Sequence, residues 1–524
     1  MKRAEKRRMR HAPSARSRNL LRCEARAWNM ESLEIPDFSY HPVHPHAIED
    51  MGMSATEICD LTIDELAKKI AARELSPVEV TEAHLARIDA LNPAVNAFTT
   101  VAHERARAEA KAAEAEIAAG RLHGPLHGVP IGVKDIIDTA GVRTTQGSSF
   151  FRDNVPAQDA ECVRRLREAG AVMIGKCNTA EFAAESATKN PHHGACRNPW
   201  DVSRVPAGSS GGSGAAVAAR MAPGALGTDT GGSVRGPAAI CGVVGLKPTY
   251  GRISLRGVYP NATSLDHVGP LTRTVRDCAL LLQALAGYDP ADPFSAEMEA
   301  PDFSADLEKG VGGMRFMISS DLLDVEIDAP ILKAFEAALD ALRGLGAEIE
   351  EAPCPFAGEI NPHRRAIADA EFYRVHGERY HADPEGYGVR LQERIANAEK
   401  TTLAAYIDAV NRRKVIIRRM LDLMSPYDAM LSPGYPCLAA PVETTTALVN
   451  GKEMDFIGLG RNLTGIQSFL GFPGLMVPTG FDSAHGLPMA MQITTRPGDE
   501  ARGFRIGHAY EEATPEWRER KPGL

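Results

Sequence analysis

Between Asp159 and Ala352 the chain follows one pattern: a stretch with helical periodicity, then a short apolar run. DAECVRRLREAG leads into AVMIGKCN, GGSGAAVAARM leads into ALGTD, and TVRDCALLLQALAG precedes RFMIS. DAPILKAFEAALDALRGLG comes before AEIEEA in the same way. Helices alternating with short strands favour an α/β protein, here one large domain with a twisted mixed β-sheet covered by helices on both faces. Upstream, LTIDELAKKIAARELSPVEVTEAHLARIDALNP reads as two amphipathic helices, with Thr62 and Ser76 as N-caps and Pro77 at the first helical position. HERARAEAKAAEAEIAAG, rich in Ala and Glu, predicts a third, long helix, and GVPIGVKD (128–135) has the look of a buried strand. Residues 360–425 read as helical and polar, interrupting the alternation like an inserted cap or pocket wall. Strand signals return at AMLSP (429–433), GLMVPT (474–479) and AMQITT (490–495).

Composition narrows the function classes. The apolar share of 44% and the net charge of −9 are those of a globular protein with no electrostatic footprint for nucleic acid. No apolar run approaches the length of a membrane span. The nine cysteines are scattered and never spaced CxxC, which argues against a disulfide framework or structural zinc and for a reducing, cytoplasmic setting. The sixteen histidines include no HExxH, and the closest pair, His192 and His193, lies in a Pro-containing loop. Metal catalysis is therefore not expected.

The first fifty residues differ from the rest. MKRAEKRRMRHAPSARSRNLLRCEAR carries ten Lys or Arg against two Glu, with no apolar core of a secretory signal. A transit peptide, a nucleic-acid arm, a solvated tail and upstream translation ahead of Met30, Met51 or Met53 all fit this composition. The favoured reading is a disordered or non-native tail over 1–50 followed by one domain over 51–524.

Three short segments hold the chemistry-bearing residues. Lys134 ends the buried strand GVPIGVKD, where a lysine is unusual unless it is partnered. AGSSGGSGAAV (207–217) is a Ser-Ser-Gly-Gly turn opening a small-residue helix. GTDTGGSVRGPAA (227–239) brings a second Gly-Gly corner with Ser233, reading as the opening of another helix. Taken singly, each has an ordinary explanation: a strand-end ion pair of Lys134 with Asp135, a flexible connector, a helix cap. A phosphate-binding loop does not fit, because no Lys-Ser or Lys-Thr follows the glycines.

Together the segments resemble the amidase signature family of serine hydrolases, most specifically from Ala207 through PAAICGVVGLKPTYGRIS to SLDHVGPLTRTVRDCALLLQALAG. The resemblance spans the chain from about Leu61 to the C-terminus and implies a Lys-Ser-Ser triad: Lys134, Ser209 and Ser233. It implies that Ser233 is the nucleophile and Ser209 relays its proton to Lys134. It also implies a cis Gly208–Ser209 bond, with Ser210 assisting by hydrogen bonding and Asp229 and Arg235 as charged supports. The amides of Thr230, Gly231 and Gly232 are expected to receive the oxyanion, each such donor being worth about 3–4 kcal/mol in the barrier. A lysine serves as base only when neutral, so its pKa must fall by roughly three units, about 4 kcal/mol, which burial in an apolar strand supplies. No metal or organic cofactor is needed.

The expected activity is hydrolysis of small or aryl amides, extending to carbamates (urethanes) and esters, on a small-molecule substrate with no nucleic-acid or membrane partner. A homodimer is left open. Two alternatives stand: the glutaminase-type subunit of a glutamyl-tRNA amidotransferase, and a non-catalytic binding protein of the same fold. The stretch EFYRVHGERYH lacks the Gly-Tyr-Tyr segment associated with the former. Pocket walls are expected from Asn190–Trp200, from 360–425, and from 432–472, where Tyr435, Phe456, Phe469 and Phe472 are read as packing core ahead of pocket lining.

Overall fold

Alternation of apolar residues along the strands decides the architecture. In the computed structural model, which describes residues 53–323 and 325–524, successive strand residues feed two separate apolar clusters. Ile131, Val133, Met173, Leu226, Leu475 and Val477 belong to one cluster; Val172, Ile174, Ala225 and Met476 belong to the other. A strand turns consecutive side chains to opposite faces, so a sheet apolar on both needs a helical cover on each. The expected α/β architecture is what forms. The basic tail over 1–50 lies outside the described residues.

The strands of the main sheet are β1 (Phe98–Val101), β2 (Pro130–Lys134), β3 (Val172–Cys177), β4 (Gly224–Thr228), β5 (Val244–Lys247) and β6 (Val268–Thr272), followed by β7 (Arg315–Ile318), β8 (Glu348–Glu351), β9 (Ala429–Pro433), β10 (Gly474–Phe481) and β11 (Pro488–Thr494). They lie in the order β1-β3-β2-β4-β6-β5-β10-β11-β9-β7-β8. The sheet is mixed: β2 runs parallel to β3 and β4, β4 antiparallel to β6, and β10 antiparallel to both β5 and β11. Beyond β11, β9 pairs antiparallel to it, and β7 runs parallel to both β9 and β8.

The helix starts read from the sequence hold. Thr62 and Ser76 each close a capping box, with Glu65 and Glu79, and Pro77 occupies the first turn of the helix Pro77–Val95. The alanine-rich helix spans His103–Ala118. The polar stretch 360–425 is three helices, Ala357–Ala382, Val389–Ala398 and Leu403–Met424. One expectation needs correction: Ser233 does not open a helix. The helix Arg235–Cys241 has Val234 at its N-cap, because Asp229 takes the amides of Val234 and Arg235 and holds residues 230–233 as an open turn. The cysteines among the described residues are buried and free. No helix of the described residues is long and apolar enough to cross a membrane.

Candidate active site

Lys134 is the last residue of β2 and has no exposed surface. Its neighbour two positions back, Gly132, sits so tightly that a Cβ there would lie 2.8 Å from Cys177 Sγ and 3.5 Å from Ala225 Cβ, so this face of β2 packs into the Ala225 layer. The Lys134 amine donates to Ser209 Oγ and to Thr228 Oγ1, both at 2.8 Å. It does not pair with Asp135, whose carboxylate accepts instead from Thr99 Oγ1, Thr145 Oγ1 and the Thr145 amide. Burial drives the Lys134 pKa down from 10.5 to about 7 against the opposing pull of Asp229 and Asp266. Two hydroxyls and no carboxylate in direct contact leave the amine near its neutral form at physiological pH.

Ser209 precedes the helix Gly211–Ala218, and the Gly208–Ser209 peptide is cis. Ser210 does not touch the amine. Its hydroxyl donates to the Thr228 carbonyl and accepts from the Thr228 amide, both at 3.2 Å, so it pins the end of β4 that presents Thr228 to Lys134. The Ser210 amide donates to the Ser233 carbonyl at 3.2 Å, which ties the two serine-bearing turns together. Ser233 is half-buried and lines a cavity of about 250 Å³. Among the described residues its hydroxyl has no hydrogen-bond partner. Of the contacts the expected relay needs, the one between the Lys134 amine and Ser209 is present, and the side chains of Ser209 and Ser233 share no hydrogen bond among the described residues. Such contacts commonly close only when substrate binds.

Asp229 and Arg235 form a fully buried pair, Arg235 Nη2 to Asp229 Oδ1 at 2.8 Å and Nε to Oδ2 at 3.0 Å. Burial pushes the Asp229 carboxyl up, but Arg235, Lys247 and His267 together hold it well below the usual carboxylate range. Charged and hungry for donors, this carboxylate shapes the turn. The Gly232 amide donates to Asp229 Oδ1 at 2.8 Å. That corrects the expected oxyanion set: Gly232 N–H is already committed, because a buried carboxylate collects the amides that follow it. The amides of Thr230 and Gly231, and also that of Ser233, have no partner among the described residues. Glycine is required at 232, where φ is +123° and a Cβ would fall 2.0 Å from Thr464 Oγ1.

Two supports escaped the sequence. Thr228 supplies the second acceptor to Lys134. Asp266, buried and raised to about 6 by its burial, accepts from Thr230 Oγ1 at 2.5 Å and from the amides of Asn261 and Ala262. A polar residue at a strand end or in a loop carries no signal that distinguishes these roles. The far wall of the cavity was foreseen by region only: Arg364 and Asp369 come from the helix Ala357–Ala382, Arg394 from Val389–Ala398, and Arg461 from Phe456–Leu470. Tyr435, Phe456, Phe469 and Phe472 are buried in core clusters and do not line it. Neither does the Asn190–Trp200 loop.

A family model described as Amidase matches residues 79–503. The chain belongs to the amidase signature family. As a member it is an enzyme acting on carbon–nitrogen bonds other than peptide bonds. Among similar proteins is a glutamyl-tRNA(Gln) amidotransferase subunit of Roseiflexus sp. (strain RS-1), 41% identical over 494 residues, covering 90% of this chain and 99% of that protein. A solved chain from a vestigial protein complex that bears on the evolutionary origins of an s-triazine catabolic enzyme is 34% identical with a TM-score of 0.83. It aligns with 86% of this chain and 98% of its own length. A bacterial aryl acylamidase of the amidase signature family superposes with a TM-score of 0.81 at 26% identity, covering 88% and 99% of the two chains.

Proposed function

We propose that this amidase-signature enzyme hydrolyses small amides through an acyl-enzyme on Ser233, with Ser209 and Lys134 moving the proton. The observation that carries the reading is the fully buried Lys134 amine, 2.8 Å from Ser209 Oγ and with its pKa lowered to about 7. Ser233 Oγ attacks the carbonyl carbon while its proton passes to Ser209 and the Ser209 proton to Lys134 Nζ. The tetrahedral oxyanion takes hydrogen bonds from the free amides of Thr230, Gly231 and Ser233. Collapse breaks the carbon–nitrogen bond, and the amine leaves with the proton returned along the same path. Water then attacks the ester and releases the acid. Carbamates and esters present the same carbonyl with a leaving group and fall within this chemistry. Asp229 and Arg235 hold the turn and touch no reacting atom.

The purified chain should release amine from a small amide, a chromogenic anilide or a urethane, and Ser233→Ala should lower kcat by at least about a thousandfold. A variant that keeps more than a tenth of the rate sinks the assignment. A fluorophosphonate should label Ser233 stoichiometrically. A second reading, one component of an amidotransferase complex, is supported by the 41% identity to a protein of that name. Ammonia release from glutamine only in the presence of a partner chain would select it. A chain silent on every substrate and unlabelled at Ser233 would instead be a binding protein.

A further inference from the structure

The wall facing Ser233 is more basic than an ordinary amide pocket requires. Arg364, Arg365, Arg394 and Arg461 line it, against Asp369 as its one acidic residue. None of the four arginines forms a salt bridge among the described residues. Arg394 donates to the Ala184 carbonyl at 2.7 Å and to Asn261 Oδ1 at 3.2 Å, and its guanidinium lies 3.7 Å from the centre of the Phe372 ring. Arg461 donates to the same Ala184 carbonyl and to Ser186 Oγ. Those two are held by neutral acceptors. Arg364 is different: it is 7% exposed, and its one hydrogen bond runs from Nε to Asn361 Oδ1 at 3.2 Å. Both terminal nitrogens are without a partner among the described residues.

The chain makes room for this side chain. A Cβ on Gly465 would lie 2.6 Å from Arg364 Nε, and one on Gly231 would lie 3.8 Å from Arg364 Nη1. The guanidinium therefore stands alongside Gly231, whose amide belongs to the proposed oxyanion cradle. Burial first, and then the neighbouring Arg461, push Arg364 and Arg394 below the usual arginine range. Asp369, on the same wall, pulls the other way on Arg364, Arg394 and Arg461 without a salt bridge to any of them, and Glu185 adds to this for Arg394 and Arg461 from an adjoining cavity. A planar fork that lines the cavity with two free nitrogens is the geometry that receives a carboxylate on two parallel hydrogen bonds.

Resting on the hydrolase reading above, we propose that the preferred substrate is an amide bearing a carboxylate a few bonds from the scissile carbonyl, of the class of monoamides of short dicarboxylic acids. Arg364 takes that carboxylate, and Arg394 and Arg461 supply the surrounding positive field. Position favours a short acid: the fork and the oxyanion amides are neighbours, and the cavity holds only about 250 Å³. Discrimination follows because an uncharged substrate offers no charged acceptor to the two free nitrogens, which Asp369 draws on only by longer-range attraction.

The test compares succinamic acid with butyramide, its uncharged analogue, and follows succinate binding by calorimetry. The wild-type enzyme should favour succinamic acid by about a hundredfold in kcat/KM. Arg364→Met should collapse that ratio toward one and weaken succinate at least tenfold, with Arg364→Lys restoring part of both. Equal rates on the two amides, or inorganic phosphate binding tenfold more tightly than succinate, would overturn the carboxylate assignment. Should Arg364→Met not fold, protection of wild-type Ser233 from a fluorophosphonate by succinate decides the matter without any variant. Labelling that succinate does not slow removes the carboxylate site and leaves the hydrolase reading standing. Succinate bound through Arg364 with no labelling of Ser233 keeps the carboxylate site and removes the hydrolase reading.

Discussion

Asp229 with Arg235, behind the turn that carries Ser233, and Arg364 with its neighbours, on the cavity Ser233 lines, are two groups of charge built on opposite terms. Asp229 accepts from three backbone amides, from Ser468 Oγ and from the Arg235 guanidinium. Arg235 in turn donates to Gln467 Oε1 at 2.9 Å and Gln492 Oε1 at 2.7 Å, so donors and acceptors are matched inside the protein. Arg364 gives one hydrogen bond and keeps two nitrogens idle. A closed network of this kind rigidifies what it surrounds, here the turn that carries Ser233. An open one is costly by itself and becomes favourable only when something of opposite charge arrives. The first is scaffold, the second recognition.

That contrast can be broken by substitution. Asp229→Ala strands the Arg235 guanidinium and three amides in the interior, so unfolding free energy should fall by about 3–5 kcal/mol in urea titration. A loss under about 1 kcal/mol would mean the pair is not the keystone described. The next effect is catalytic. Lys134 must be neutral to accept a proton, so with its pKa near 7 the rate should drop about tenfold per pH unit on the acid side and level off above. The same depression penalises stability fully below about pH 7 and less as pH rises toward the unfolded lysine's 10.5. A pH–rate profile flat from 5 to 8 would remove Lys134 from the relay. Smallest is Arg461→Met. The Ala184 carbonyl keeps its bond from Arg394, and repulsion among the guanidiniums is relieved, so stability should change by no more than about 1 kcal/mol. A cost above about 3 kcal/mol would place Arg461 with the scaffold instead.

Most of the fold was legible because strand and helix periodicities are local, and capping boxes at Thr62 and Ser76 mark their starts within four residues. Lys134, Ser209 and Ser233 stand out in the sequence because the serines lie in short Gly-Ser turns and the lysine lies inside an apolar strand. The structure brings Lys134 and Ser209 into contact and ties the turn of Ser233 to that of Ser209 through the Ser210 amide. What remained hidden depends on three-dimensional meeting points. Which amide of a Gly-Gly corner stays free is settled by where the Asp229 lone pairs point, and that took Gly232 out of the expected set. Arg364, Arg394 and Arg461 sit on three different helices, and an arginine on a polar helix ordinarily signals only a wet face. Thr228 gives no signal in the sequence, because a threonine at a strand end is ordinary until the amine opposite it is seen.

The alternation along β2 has a consequence for how this site can change over evolution. Ile131 and Val133 look toward one layer, and Gly132 and Lys134 toward the other. The proposed role of Lys134 is therefore fastened to odd-and-even counting on a single strand. A one-codon insertion or deletion just ahead of Lys134 would swing the amine into the aliphatic layer, where no hydroxyl waits for it. A two-codon change would restore the side but displace the amine by one pleat repeat, roughly 7 Å. On the proposed mechanism, point substitution would retune this enzyme, whereas a frame-preserving slip in β2 would silence it.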